Sequence, residues 1–195
     1  MNPAKARELI RLLADLPFDL RPLGEFPGAR LPEETEDSYQ GNALLKARAA
    51  ASFSGTLALA DDSGIEVDAL GGLPGVRSAR FGGPGLDDTG RCRRLLEALR
   101  DVPSARRTAR FRCVIAVADP GGREDVAAGS AEGVILDAPR GRGGFGYDPL
   151  FFYPPLGRTF AELSDVEKAE VGHRGRALAA ARRLLSECYT AEPDR

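Results

Sequence analysis

The 195-residue chain has few cysteines and no long hydrophobic run. Its three cysteines, Cys92, Cys113 and Cys188, are odd in number, widely spaced and without a CxxC pair, which argues against a disulfide framework and a zinc site. No apolar run approaches the ~18–20 residues that span a bilayer, and the amino end lacks the apolar segment of a signal peptide. We therefore expect a cytoplasmic protein without a membrane partner.

The chain also lacks a large excess of charge of either sign. The net charge is −2, so no electrostatic pattern favours nucleic acid or a membrane surface as a partner. Lysine is scarce: Lys5, Lys46 and Lys168 stand against 24 arginines. Where lysine persists, a compact ammonium rather than a forked guanidinium is expected to be needed. The 43% hydrophobic content is that of an ordinary globular chain, and the length predicts one domain with room for two lobes.

The order of predicted elements indicates an α/β protein with a mixed sheet and surrounding helices. Apolar spacing and capping residues predict helices at 2–16, 38–53, 87–102 and 173–188. Strands are predicted at 56–60, 65–70, 108–119, 124–138 and at the apolar end of the segment 138–153. The Gly- and Pro-rich stretch 70–85 is predicted to be a surface loop, and Ser164 with Glu167 to form a capping box.

Two acidic segments flank the second predicted helix. Glu33 and Glu34 belong to "PEETED" before it, and Asp61 and Asp62 belong to "DDSG" after a short apolar run. One carboxylate from each segment would suit Mg²⁺, which prefers oxygen ligands and substrate phosphates. Two plainer interpretations stay open: a solvated loop for the first segment and a turn for the second.

A glycine-rich loop lies in "PRGRGGFGYDP". Its glycines would let backbone N–H groups approach a ligand, and Phe145 offers a flat ring on which a base can stack. The loop matches neither a Walker A motif nor a dinucleotide fingerprint, because no helix follows it. A purely structural bend is the alternative.

Basic side chains form two further candidate sites. Lys168, His173 and Arg174 fall at the junction of two predicted helices, where they would suit an anion or a keto oxygen. A surface basic patch is the alternative for these three. Asn2 and Lys5 lie on the first turn of the opening helix, which is a candidate phosphate site. Acids for a metal, an aromatic ring for a base and cations for phosphates together describe a nucleotide hydrolase.

Several long motifs carry a resemblance to a known family. The segments "ALADDSGIEVDALGGLPGVRSARF", "PRGRGGFGYDPLFF" and "AELSDVEKAEVGHRGRAL", preceded by "EET" and "NALLKARAAA", resemble the Ham1/RdgB family of non-canonical purine NTP pyrophosphatases. The resemblance covers nearly the whole chain in the family's order. It implies an elongated, two-lobed mixed α/β fold over residues 1–195, a homodimer, and a nucleotide cleft between the lobes.

The resemblance also implies an activity and its residues. The expected reaction is Mg²⁺-dependent hydrolysis of ITP, dITP and XTP to the monophosphate and pyrophosphate. Asp62 is expected to bind the metal and accept a proton from the attacking water, with Glu34 as the second metal ligand. The expected substrate contacts are Asn2, Lys5, Ser63, Phe145, Gly146, Tyr147, Asp148, Lys168, His173 and Arg174.

The family pattern differs from this chain at its start. Family members open with a strand and a "TGNxxK" motif, of which Asn2 and Lys5 remain here, so the first family strand is expected to be missing before Met1. Two rival hypotheses follow: a Maf-like pyrophosphatase for other modified nucleotides, and a catalytically weakened nucleotide-binding protein. Donors on His173 and Arg174 would favour a 6-keto purine over the 6-amino group of adenine.

Overall fold

The computed structural model describes residues 9–189. Helical residues 9–13 open this range, and the remainder of the predicted helix 2–16 before them lies outside it. The longer helices are α1 (Tyr39–Ser54), α2 (Asp88–Ala98), α3 (Asp165–Val171) and α4 (His173–Cys188). The strands are β1 (Ala58–Val67), β2 (Thr108–Ala118), β3 (Glu124–Ile135), β4 (Phe151–Tyr153) and β5 (Arg158–Thr159). Short 3₁₀ turns connect several of these elements.

The five strands form one antiparallel sheet in the order β1-β2-β3-β4-β5. Neighbours in the sheet are therefore neighbours in sequence, as is common for consecutive strands, although the β1–β2 connection is long and contains α2. A tight turn links β2 to β3, with the Asp119 N–H donating to the Arg123 carbonyl. Val134 and Ile135 of β3 pair with Phe152 and Phe151 of β4. The sheet and its helices confirm the α/β class.

The chain divides into two compact units, and each has its own hydrophobic core. Within the described residues, unit 1 comprises 9–62, 113–129 and 175–189, and unit 2 comprises 63–112 and 130–174. The core of unit 1 includes Leu13, Ile115 and Leu178, which are almost completely buried. The core of unit 2 is richer in aromatic rings: Phe111, Phe151 and Phe160 pack with ring centroids 4.7–5.7 Å apart.

Most predicted helices and strands occur within a few residues of their predicted bounds. The predicted strands 56–60 and 65–70 are one continuous strand, β1, so "DDSG" is part of a strand and its interpretation as a turn is wrong. The predicted surface loop 70–85 contains a 3₁₀ helix, Gly75–Arg80, whose Ser78 is buried. Within the described range, no helix is both long and apolar enough to cross a membrane.

Candidate active site

A lysine bridges two carboxylates in unit 1. The Lys46 Nζ donates to Glu34 Oε1 at 2.8 Å and to Asp62 Oδ1 at 3.1 Å. Lys46 and Asp62 are buried, being 7% and 5% exposed, whereas Glu34 is partly exposed. Two acids that are 28 positions apart in the sequence thus share one cation.

Helix α1 positions this group. Ser38 caps the helix by accepting from the Gly41 N–H at 3.0 Å, and Asn42 and Lys46 lie one turn apart on its buried face. Most of the other buried positions on that face are alanines, namely Ala43, Ala47, Ala50 and Ala51. Because alanine side chains are small, the backbone of a neighbouring element can approach α1 closely. The face therefore presents two polar groups from a small apolar background.

Asn42 ties the acidic segment to the helix. Its Oδ1 accepts from the Glu36 N–H and its Nδ2 donates to the Glu36 carbonyl, each at 3.1 Å. The same Nδ2 reaches Asp62 Oδ2 at 3.5 Å. This two-point contact holds the backbone two residues after Glu34, so Glu34 is placed by a side chain of α1 rather than by a free loop.

The electrostatics keep Lys46 charged. Burial by itself would lower the pKa of Lys46, but the Asp62 and Glu34 carboxylates, with a smaller contribution from Asp61, raise that pKa above its usual value. The ammonium is therefore held as a cation in a site lined by acids.

The donor set is suited to Mg²⁺. Within residues 9–189, no three His, Cys, Asp or Glu side chains form a group that could hold a metal alone. Mg²⁺ does not require one, because it commonly binds through one or two carboxylates together with substrate phosphates. Glu34 and Asp62 already accept hydrogen bonds from a cation, and their oxygens are ligands of the hard type that Mg²⁺ prefers.

A second group of functional side chains lies in unit 2, around the ring of Phe145. Lys168 Nζ forms an ion pair with Asp148 and lies 4.7 Å from the Phe145 ring centroid. The Arg174 guanidinium carbon lies 5.5 Å from the same centroid, and its Nη2 donates to Ser63 Oγ at 3.0 Å. Two cations therefore lie beside one partly exposed aromatic ring.

These basic groups are buried rather than spread over the surface. Arg174 is 2% exposed, and Lys168 and His173 are also buried, so the interpretation of these residues as a surface patch is wrong. His173 is the first residue of α4 and stacks on Phe111 with ring centroids 4.6 Å apart. Burial raises the pKa of Asp148, and the Lys168 ammonium opposes that shift.

The glycine-rich loop is shaped by Asp148. Asp148 Oδ2 accepts from the Phe145 N–H at 2.8 Å. Gly144 adopts φ +70°, and a Cβ there would lie 2.1 Å from Asp148 Oδ2, so a side chain at this position is excluded. The carboxylate thus joins the tight turn to Lys168, which gives the loop a defined conformation.

The predicted site residues fall into two groups, one in each unit. Glu34 and Asp62 meet in unit 1; Ser63, Phe145, Gly146, Asp148, Lys168, His173 and Arg174 lie in unit 2. Tyr147 belongs to the core, where its hydroxyl donates to the Ser78 carbonyl at 2.9 Å, so its side chain supports the loop. Asn2 and Lys5 lie outside the described residues.

Two residues were not predicted as site residues. The scarcity of lysine singles out Lys46, and Asn42 is not among the predicted site residues. The signal for both is the spacing in "NALLK", which places a polar side chain and a cation at i and i+4 on one helix face. Recognising their role required knowing which face α1 buries.

Unit 1 thus holds two acids bridged by a lysine, and unit 2 holds an aromatic ring beside two cations, in a protein of the α/β class. Comparison with known proteins is more specific. The Ham1 family model matches residues 1–184, and the chain belongs to the Ham1 family.

Curated relatives and solved structures agree with this assignment. A dITP/XTP pyrophosphatase of Desulforamulus reducens is 53% identical over 188 residues, covering 96% of this chain and 94% of the relative. One of Thermus thermophilus is 50% identical over 192 residues, covering 98% and 90%. The structure of a HAM1 protein from Coxiella burnetii matches with a TM-score of 0.88 and 42% identity, covering 96% of each chain.

Proposed function

We propose that this protein is a nucleoside triphosphate pyrophosphatase that hydrolyses ITP, dITP and XTP to the monophosphate and pyrophosphate. The observation that carries the proposal is the buried Lys46 shared by Glu34 and Asp62, in a chain about half identical to proteins named dITP/XTP pyrophosphatase. Acids and a cation held together in this way suit attack by water at a phosphate.

Within this proposal, Asp62 accepts the proton of the attacking water. Its burial and its hydrogen bonds from Lys46 and Asn42 hold the carboxylate in one orientation. Lys46 offsets the negative charge of the triphosphate, which is about −4 at neutral pH, while staying hydrogen-bonded to the acids. The lysine and the carboxylate thus act as one positioned group.

Glu34 and Asp62 would hold Mg²⁺. When bound, the metal supplies neutralisation of phosphate charge and a lowered pKa of bound water. Asp61 lies next to Asp62 on β1. Its negative charge acts on Lys46 through Coulomb attraction, which requires no hydrogen bond between the two side chains.

Recognition of the base is assigned to the group around Phe145. The ring offers a stacking surface, and His173 and Arg174 offer N–H donors to the 6-keto oxygen of hypoxanthine or xanthine. Adenine carries an amino group at this position, so a donor would face a donor. Each buried donor left without an acceptor costs ~1–3 kcal/mol. Because ATP would leave two donors without acceptors, we expect the site to discriminate strongly against ATP.

The resemblance to the family also leads us to propose a homodimer and a cytoplasmic location. The three thiols are free, which suits a reducing compartment. Sedimentation equilibrium tests the first of these proposals, since a single species of the monomer mass would contradict it.

The deciding experiment measures pyrophosphate release from ITP, dITP, XTP, GTP and ATP with Mg²⁺. We expect turnover of ITP to exceed that of ATP by at least about 100-fold in kcat/KM, because two donors discriminate together. Comparable turnover of all five nucleotides would contradict the proposal. Binding of ITP without turnover would support the weakened nucleotide-binding protein, and selective turnover of another modified nucleotide would support the Maf-like alternative.

A further inference from the structure

Both polar groups of Gly146 are held by helix α2. The Gly146 N–H donates to Asp88 Oδ2 at 2.7 Å, and the Gly146 carbonyl accepts from Cys92 Sγ at 3.4 Å. Asp88 and Cys92 lie four residues apart, one turn of the helix, so they project from the same face. Gly146 directly follows Phe145, the ring that the proposed function assigns to base stacking.

Each partner is in the state that its contact requires. Burial raises the pKa of the Cys92 thiol to about 11, with the nearby carboxylates of Asp88 and Asp148 adding to the shift, so the thiol keeps its proton and donates it. Asp88 uses its second oxygen for Arg91 Nη1 at 3.3 Å, which holds the carboxylate in place. Both hydrogen bonds to Gly146 are therefore supported from within α2.

The turn is fixed at its other residues by different elements. Asp148 accepts a hydrogen bond from the Phe145 N–H and forms an ion pair with Lys168 of α3. The Tyr147 hydroxyl donates to the Ser78 carbonyl. Gly146 has no side chain that could restrain the turn, and its φ of +62° is a backbone conformation that favours glycine. The α2 contacts supply the restraint that a glycine lacks.

We propose that Asp88 and Cys92 are positioning residues that set the Phe145 ring for base recognition by holding the Gly146 peptide from α2. This inference rests on the proposed function for the identity of the ligand. It assigns a specificity role to a helix whose residues had no predicted part in the site. The two side chains act through Gly146 and do not touch the substrate.

The test compares paired substitutions. Asp88→Ala and Cys92→Ala remove one partner of Gly146 each, whereas Asp88→Asn and Cys92→Ser keep an acceptor and a donor at the same places. Asp87→Ala is the matched control, because Asp87 caps α2 by accepting from the Gly90 N–H at 2.7 Å, whereas the Gly146 N–H donates to Asp88. It weakens the same helix without removing a bond to Gly146.

We expect Asp88→Ala and Cys92→Ala to raise KM for ITP about tenfold, with kcat changed by less than about twofold, because the loosened ring weakens binding and not the phosphate chemistry. Asp88→Asn and Cys92→Ser should remain within about threefold of the wild-type KM. Asp87→Ala should lower the melting temperature and leave KM for ITP unchanged. Unchanged KM in both alanine variants, or an equal rise in Asp87→Ala, overturns the inference.

Amide hydrogen exchange at Gly146 separates this inference from the proposed function. The exchange should be faster in Asp88→Ala than in the wild type and should be restored in Asp88→Asn. Equal exchange rates in Asp88→Ala and the wild type would show that Asp88 does not restrain the Gly146 peptide, whichever nucleotide the enzyme hydrolyses. If the wild type does not act on ITP but the exchange rates differ as expected, the proposed function fails, and with it the specificity role, while the hold on Gly146 stands.

Discussion

At the scale of single residues, Lys46 organises the acidic group. Asp62 and Glu34 would repel each other at close range, and the compact ammonium lets both approach one point. An arginine would spread its charge over a planar fork and would need more room against the alanine face of α1. This gives a physical reason for lysine in a chain that otherwise uses arginine.

Asp62→Asn is expected to reduce hydrolysis of ITP by at least about 10³-fold while the protein stays folded. The amide cannot accept the proton of water, but Lys46 keeps Glu34 as a partner, so the buried cation is not left alone. Single-turnover kinetics and far-UV circular dichroism provide the measurements. Asp61→Asn serves as the comparison and is expected to lose only about tenfold; activity retained in Asp62→Asn would contradict the proton-acceptor role.

Lys168→Met is expected to lower the free energy of unfolding by about 3 kcal/mol at pH 7, because it leaves Asp148 buried without its cation. Burial already raises the pKa of Asp148, and loss of Lys168 raises that pKa further. Below the ordinary carboxyl pKa of about 4, Asp148 is protonated in both the folded and the unfolded state. The loss of unfolding free energy in Lys168→Met, relative to the wild type, is therefore smallest in that pH range. It grows as the pH rises towards neutrality.

Urea unfolding at pH 4 and pH 7 measures this difference. The double variant Lys168→Met/Asp148→Asn is the control, since it removes both charges and should show little change in its deficit between the two pH values. A Lys168→Met deficit that is equal at both pH values would contradict the assignment of the penalty to the buried carboxylate.

At the scale of elements, the carboxyl end of α2 depends on one arginine. The buried Arg107 donates to the Leu99 carbonyl through Nη2 and to the Val102 carbonyl through Nε, each at 2.9 Å, and pairs with Asp137 at 2.7 Å. Leu99 is the C-cap residue of α2, and its carbonyl also accepts from the Val102 N–H at 2.9 Å, whereas Val102 belongs to the segment after the helix. Arg107 therefore ties the C-cap residue of α2 to the segment that follows the helix.

Arg107→Ala is expected to destabilise the protein by about 2 kcal/mol, since the Val102 carbonyl loses the Arg107 donor, the buried Leu99 carbonyl keeps only the Val102 N–H, and Asp137 loses its cation. Arg106→Ala provides the matched control, because Arg106 is the exposed neighbour on the same 3₁₀ turn and should change stability by less than about 0.5 kcal/mol. Thermal unfolding of the two variants decides the matter, and equal effects would show that the contacts of Arg107 are not the cause.

At the scale of the whole molecule, two cores are built on shared strands. Residues 58–62 of β1 belong to unit 1 and 63–67 to unit 2, and β2 and β3 are divided in the same way. The boundary in β1 falls between Asp62 and Ser63. A strand that belongs to both units cannot remain fully paired when one of them unfolds.

We expect Leu95→Ala in the unit 2 core and Leu178→Ala in the unit 1 core each to cost about 3 kcal/mol. Because the strands are shared, each variant should unfold in one transition. Coincident urea midpoints from far-UV circular dichroism and tyrosine fluorescence would confirm this. Two resolved transitions in either variant would show that the units unfold separately.

The sequence by itself determined the elements whose signals are local. The Ser38 cap, the Ser164–Glu167 capping box and the apolar spacing of α4 each involve residues within one or two turns, and all occur in the structure. Long motifs also sufficed for the family, since their order and spacing are properties of the chain alone.

Only the tertiary structure decided which polar groups meet. Glu34 and Asp62 reach Lys46 across 12 and 16 positions, and Arg174 reaches Ser63 across 111. The burial of Tyr147 and the strand conformation of "DDSG" were likewise undetermined by local pattern. The physical reason is that a side chain's partner and degree of burial depend on which faces pack together, and packing joins residues that no short stretch of sequence contains.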